Sequence, residues 1–212
     1  LSKSTQPEKS FIMGHLTQPE GFVLLTLYLS GTWMFNLLPD SYYSFEGNVN
    51  AFHVLLQLLL VDIFMTIAHW VEHKITSWYP LSHKPHHRFI EPGVFDAFNG
   101  SFFDTLCLIL IPLYITANLI HCNSWSYIAF GTIYANYLCL IHCEFSHPWD
   151  SFFHKFGIGT AADHQVHHKL FCYNYGHIFV YWDMICGTYR NPAQVKSFNS
   201  KRVAACMSRQ IK

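Results

Sequence analysis

The sequence predicts an all-α integral membrane protein with four transmembrane helices and a helical cap on the cytoplasmic side. The 212 residues are 51% hydrophobic and 17% aromatic but only 12% charged, and the mean hydropathy is +0.16. Long apolar windows recur along the chain, and the basic residues avoid two of the connections between them. Together these features indicate a chain that is partly surrounded by lipid.

Four apolar windows of 17 to 19 residues each are near the lower limit for crossing a bilayer as a helix. Core helices of a soluble protein give similar windows, but four of them leave little polar sequence to surround such a core. We therefore interpret them as transmembrane helices. The windows cover residues 22–38, 51–68, 102–120 and 125–141.

Charge placement predicts the orientation of these helices. The 13 Lys and Arg residues all lie outside the connections 39–50 and 121–124, and loops that carry basic residues stay cytoplasmic. Both termini are therefore expected in the cytoplasm, with a polar segment at 1–21, a membrane domain at 22–192 and a polar tail at 193–212. The formal net charge of zero offers no basis for binding nucleic acid.

The 15 histidines of the chain are concentrated in clusters on the predicted cytoplasmic side. An H-x-x-x-H pair follows the second window, and two H-x-x-H-H motifs come later. In a helix, residues three and four apart share a face, so each motif directs its imidazoles to one side. The clustered residues are His69, His73, His83, His86, His87, His142, His147, His164, His167 and His168.

Ten imidazoles are about the number that two metal ions of coordination five or six require, so the clusters predict a dimetal site. The zinc-protease pattern H-E-x-x-H, the paired E-x-x-H repeats of ferritin-like sites and C-x-x-C pairs are all absent from the sequence. Imidazole alone does not select among zinc, iron, copper and nickel. We interpret the other histidines as interfacial or hydrogen-bonded side chains, namely His15, His53, His121, His154 and His177.

The three motifs together resemble the histidine boxes of the fatty acid hydroxylase and sterol desaturase superfamily, which are integral membrane di-iron oxygenases. The resemblance covers residues 61–192 and includes a closing block, Tyr173-Asn-Tyr-Gly176 followed by Trp182-Asp183 and Gly187-Thr-Tyr-Arg190. Within the superfamily the pattern is most similar to sterol C5-desaturases and sterol C4-methyl oxidases.

The resemblance implies O2-dependent desaturation or hydroxylation of a sterol or other membrane lipid, with two Fe ions held by the clustered histidines. Zinc is a further possibility for the isolated protein. O2 would be the co-substrate, and cytochrome b5 or its reductase would supply electrons from NAD(P)H. No His-Pro-Gly-Gly motif of a fused cytochrome b5 domain occurs in the chain. In a eukaryote the resemblance implies the endoplasmic reticulum.

Three acidic residues are candidates to support the metal ligands. Asp62 lies two helical turns before His69 on the same face, so it either hydrogen bonds to a ligating imidazole or faces the interface. Glu144 follows His142 by two residues and is a ligand, a supporting group or a solvated charge. Asp163 either caps a helix or supports His164.

Two other functions remain open from the sequence. One is a fatty acid or sphingoid-base hydroxylase of the same superfamily. The other is a histidine-rich metal-binding membrane protein without oxidase activity, either a transporter or a protein with structural zinc. Transporters place their ion ligands near the bilayer midplane, whereas these clusters begin where the apolar windows end.

Overall fold

The computed structural model describes residues 20–143, 145 and 147–195, and this part of the chain is helical. It forms no β-strand, only an isolated bridge between Ile158 and Phe179. The predicted all-α class is therefore confirmed for these residues, and each apolar window corresponds to one long helix. These helices are α1 (Glu20–Met34), α2 (Ala51–Lys74), α3 (Phe102–Leu119) and α4 (Ser124–Ile141).

Two of these helices, α2 and α3, are long and apolar enough to cross a membrane. Helix α2 has 24 residues. The residue before it, Asn50, is its N-cap, and the Asn50 side chain accepts hydrogen bonds from the backbone N–H groups of Phe52 and His53. An Asn at this position satisfies donors that the first turn leaves without partners. The polar segments predicted at the two ends of the chain lie almost entirely outside the described residues.

Helix α3 contains a π-helical stretch at Thr105–Leu110, which the sequence analysis did not predict. Pro112 follows it within the first turn of the α-helical part, Ile111–Leu119. A proline inside a helix has no N–H to donate and its ring collides with the preceding turn, so a locally wider turn relieves both problems. The wider turn belongs to the part of α3 that approaches the histidines.

Helices α2, α3 and α4 pack on a shared apolar core that includes Val61, Met65, Leu108 and Leu138. The C-terminal ends of α2 and α4 meet the N-terminal end of α3 at one end of this bundle. Because His69 and His142 lie at those C-terminal ends, the fold brings these two histidines to the same end of the bundle. At the opposite end, the side chain of Asn123 donates to the backbone carbonyls of Glu46 and Asn48.

Short helices cover the end of the bundle that carries the histidines. They are a 3-10 turn (His86–Arg88), α5 (Asp150–Lys155), α6 (Ala161–Leu170) and α7 (Tyr181–Cys186). Helix α6 begins with a capping box in which the Thr160 side chain accepts from the Asp163 N–H and the Asp163 carboxylate accepts from the Thr160 N–H. Thr160, and not Asp163, is therefore the N-cap.

Candidate metal centre

Nine of the ten predicted ligands form two compact groups of buried imidazoles. Within each group, one ring nitrogen from every residue lies within 4.8 Å of all the others. Each of these residues exposes 5% or less of its surface. The five-histidine group comprises His69, His73, His83, His87 and His167, and the four-histidine group comprises His86, His142, His164 and His168.

Each of the three histidine boxes contributes to this arrangement through its local structure. The first box is on the last turns of α2, where a spacing of four residues places His69 and His73 on one face. The second box is a 3-10 turn after Pro85 and not an α-helix, and it sends His86 and His87 to different groups. Helix α6 likewise divides its three histidines between the groups.

Backbone carbonyls fix the orientation of five of these rings. In each case the ring Nδ1 lies within hydrogen-bonding distance of a carbonyl oxygen, and a carbonyl can only accept, so Nδ1 must carry the proton. Nε2 is then left with a lone pair. The pairs are His69 with Tyr175 (2.7 Å), His86 with Asn99 (3.4 Å), His142 with Leu138 (2.7 Å), His167 with Tyr173 (2.8 Å) and His168 with Phe89 (2.9 Å).

The Nε2 atoms converge in a way that calls for a cation. Those of His86 and His142 lie 3.3 Å apart, although both rings carry their proton on Nδ1. Two nitrogen lone pairs cannot hydrogen bond to each other. Burial lowers the pKa of His86 to about 4, so protonation of the ring does not supply the missing proton. A metal ion between the nitrogens satisfies both lone pairs.

The spacing of the nitrogens also fits a metal ion. A metal–imidazole bond of about 2.1 Å places neighbouring ligand nitrogens about 3 Å apart at right angles. Six Nε2 pairs, three in each group, are separated by 2.8 to 3.3 Å. Burial lowers the pKa of His167 and His168 well below its ordinary value, which keeps these rings available as ligands. The residues therefore fit two ions.

A carboxylate that the sequence analysis did not single out orients one of these rings. Nδ1 of His83 lies 2.7 Å from Oδ1 of Asp104, at the start of α3. Gly100 permits this approach, because a Cβ atom there would lie 1.8 Å from Oδ2 of Asp104. Glu72, also buried, places Oε2 3.7 Å from the same Nδ1. A carboxylate bonded to the far nitrogen fixes the tautomer and raises the basicity of a ligating imidazole.

We expect Asp104→Asn to weaken metal binding by about 10-fold to 100-fold, because an amide neither compensates the charge nor fixes the His83 tautomer as firmly. The affinity is measured by titrating metal into the metal-free protein. Asp40→Asn, at the opposite end of the bundle, is the matched control and should leave the affinity unchanged. Equal affinities for the two variants would show that Asp104 does not support the metal group.

Asp62 holds the closing block and contacts no imidazole nitrogen in the described part of the chain. Its carboxylate accepts hydrogen bonds from the backbone N–H groups of His177, Ile178 and Phe179 and from Nε1 of Trp182. Asp62 therefore follows neither alternative from the sequence: these four donors occupy the carboxylate, and the residue is fully buried and does not face the interface. Asp62 instead fixes the loop that supplies the Tyr175 carbonyl to His69.

Asp183 holds the same loop from the other side. It accepts from the N–H groups of Tyr175 and Gly176 and from the Thr188 hydroxyl. Asp163, in addition to its place in the α6 capping box, accepts from the Tyr189 hydroxyl at 3.3 Å. No described bond joins Asp163 to an imidazole of the two groups.

The structure leaves one predicted ligand outside both groups. His147 lies beyond α4, stacks on Trp149 at a centroid distance of 5.0 Å, and has its backbone N–H bound to Asp150. Its side chain is 17% exposed. Helix α4 ends at Ile141, so the helical spacing that predicted this ligand does not apply at His147. Glu144 lies outside the described residues.

One histidine that we interpreted as unrelated to the clusters lies beside both of them. The His177 ring is 5.0 Å from that of His69 and 5.3 Å from that of His164, measured between centroids. Only the final fold brings these residues together, since the loop after α6 returns to α2. The neighbouring Tyr-Asn-Tyr-Gly motif was the sequence feature that could have indicated that His177 lies near the clusters. By contrast, His53 lies near the start of α2, about 24 Å from His69 at 1.5 Å per residue.

A cavity opens beside the four-histidine group. Its apolar wall comes from the helical bundle, and its polar wall includes His86, His142, His177 and Asp104. The cavity is small, about 20 Å³, which is room for a molecule of the size of water or O2. The apolar residues are Met65, Ala97, Leu108, Ile109 and Leu138.

Comparison with known proteins agrees with this site. The chain is 54% identical to the alternative squalene epoxidase of Phaeodactylum tricornutum over 86% of its length and 53% of that protein. It is 27% identical to human cholesterol 25-hydroxylase, covering 65% of this chain and 51% of that one. It is 28% identical to the Delta(7)-sterol 5(6)-desaturase of Eremothecium gossypii, covering 81% and 48%.

The chain therefore spans about half the length of these curated relatives. No solved structure matches it significantly. Residues 54–188, which include both histidine groups and the loop that orients them, match the fatty acid hydroxylase family model. The predicted resemblance is confirmed: the chain belongs to the fatty acid hydroxylase family.

Proposed function

We propose that the chain is a membrane-bound di-iron enzyme that uses O2 to oxidise squalene or a sterol. The observation that carries the proposal is the convergence of nine buried imidazoles in two groups beside an apolar cavity. Neutral imidazole binds iron as well as zinc, so the donor set is compatible with either metal. The names of the relatives, all oxidising enzymes of squalene or sterols, support iron with O2.

Each part of the site has a distinct task in this proposal. When held by the two groups, iron would supply the redox chemistry that activates O2. The closing block and Asp104 hold the imidazoles in position, and the apolar wall of the cavity excludes water. Insertion of one oxygen atom consumes O2, two electrons and two protons, and the second oxygen atom leaves as water.

Squalene is the first candidate substrate, because the relative with 54% identity is named a squalene epoxidase. A sterol is the second, because the desaturase and the hydroxylase are similar at 28% and 27% identity. The sequence motifs alone favoured desaturation or hydroxylation of a sterol and did not suggest epoxidation. All three reactions would begin from the same O2 chemistry, so placement of the substrate at the site would decide the product.

The proposal is tested with the iron-loaded chain in lipid vesicles, supplied with reduced cytochrome b5, isotopically labelled O2 and either squalene or a Δ7-sterol. We expect one labelled oxygen atom in epoxidised squalene, detected by mass spectrometry. A labelled hydroxysterol or a new sterol double bond would identify the second candidate instead. No oxidised product from a chain that holds two irons would favour a metal-binding protein without oxidase activity.

We further propose four membrane-spanning helices with the metal centre on the cytoplasmic side, in the endoplasmic reticulum of a eukaryotic cell. The placement of all described ligands at one end of the bundle supports this arrangement, as does the absence of basic residues from connections 39–50 and 121–124. The ends of the chain would then also be cytoplasmic.

Electron delivery by cytochrome b5 or its reductase would use the basic residues on that side. Lys84, Arg88 and Lys155 have exposed side chains there. We expect the turnover with a soluble donor domain to fall several-fold between 20 and 200 mM salt, because screening weakens the attraction between exposed charges. A small uncharged reductant is the control. A donor rate that does not change with salt would contradict electrostatic docking.

A further inference from the structure

His177 is a buried polar residue to which the proposed site gives no task. It is 5% exposed, and its backbone N–H donates to Asp62, which fixes the loop that carries it. The ring contacts one imidazole from each histidine group, His69 and His164. His177 therefore lies against both groups at once.

His177 belongs to neither group of converging ring nitrogens, and the orientation of its ring agrees with this. Contacting rings within one group are inclined to each other by 48° or more. The His177 ring is inclined by only 29° to His69 and 42° to His164. Stacking of this kind also occurs between His164 and His167, which belong to different groups and are inclined by 19°.

The ring also has hydrogen-bonding capacity that the described residues do not use. Nδ1 of His177 is buried and has no hydrogen-bond partner among them. A buried polar atom left in this state destabilises the fold, so we expect it to pair with a water molecule, an ion or a ligand. The ring forms part of the cavity wall together with His86 and His142. A small molecule that enters beside the four-histidine group meets this imidazole.

We propose that His177 is a further catalytic residue, whose imidazole would donate a hydrogen bond to O2 in the cavity beside the four-histidine group. This assignment rests on the proposed function, because it presupposes that the groups hold metal and admit O2. His177 itself holds no metal. Its donor would orient O2 toward the apolar wall of that cavity.

Azide is the probe for this hydrogen bond, since it binds a metal through one end and can accept a hydrogen bond at the other. The chain is loaded with Co²⁺, whose visible spectrum reports ligand binding, and azide is titrated into the wild type, His177→Phe and His177→Gln. We expect both variants to hold two Co²⁺ ions. Azide should bind His177→Phe about tenfold more weakly, the usual effect of one hydrogen bond to an ionised acceptor.

His177→Gln keeps an N–H donor and should recover most of the azide affinity. The matched control is His147→Phe, the same substitution at a histidine outside both groups, and it should behave as the wild type. Unchanged azide affinity in His177→Phe would overturn the assignment. Loss of one Co²⁺ from both His177 variants would overturn it in favour of a ligand role. A wild-type chain that holds no Co²⁺ would instead overturn the proposed function.

Discussion

The His167→Ala protein is expected to lose both its metal and its oxidising activity. His167 contacts His69, His73 and His87 within the five-histidine group, and its Nδ1 donates to the Tyr173 carbonyl. Loss of a group that merely supports a ligand weakens metal binding by about 10-fold to 100-fold, so loss of the ligand itself should cost more. Metal content by mass spectrometry and product formation measure the two effects.

His86→Ala makes the same test for the four-histidine group. The ring is buried and its Nε2 lies 3.3 Å from that of His142. We expect one of two metal ions to be lost and oxidation to stop, because the proposed reaction would use both ions. His147→Ala serves as the control for both variants and should retain metal and activity. Full activity in either His167→Ala or His86→Ala would contradict the assignment of ligands.

Asp62→Ala is expected to have the second largest effect, although Asp62 holds no metal. The substitution leaves three buried backbone N–H groups and Nε1 of Trp182 without their acceptor. Each unsatisfied buried donor costs about 1 to 3 kcal/mol, so the protein should be destabilised by about 2 to 5 kcal/mol after relaxation. The melting temperature in detergent should fall accordingly.

The same variant should also bind metal about 10-fold to 100-fold more weakly, because the loop that fixes the His69 ring is no longer held. Asp62→Asn offers one acceptor oxygen in place of two, and we expect an intermediate effect on both measurements. An Asp62→Ala protein that melted and bound metal like the wild type would show that the loop is held by other contacts.

Local sequence patterns predicted most of the metal ligands and the helical class. Helical spacing within a box places imidazoles on one face, so His69 with His73 and His164 with His168 followed directly from the chain. Four long helices followed from four apolar windows. The pattern failed at His147 because the chain leaves the helix after His142, and a spacing rule applies only while the helix continues.

Such local patterns could not predict contacts between segments that are distant in the sequence. Asp104 contacts His83, which is 21 residues away in the sequence, and Asp62 contacts the loop at His177, which is 115 residues away. Both contacts depend on how the helices pack, and that packing also decides which box histidine joins which group. The π-helical stretch before Pro112 was likewise not predicted. A proline inside a helix usually ends or bends it, so nothing in the sequence indicated a wider turn there.

The most direct test of two metal ions held by nine histidines is the metal content of the chain after anaerobic purification and iron loading. The proposed function predicts two iron ions per chain in the wild type and fewer than two in His167→Ala and His86→Ala. Two irons retained in both variants, or a wild-type chain that binds none, would contradict the account.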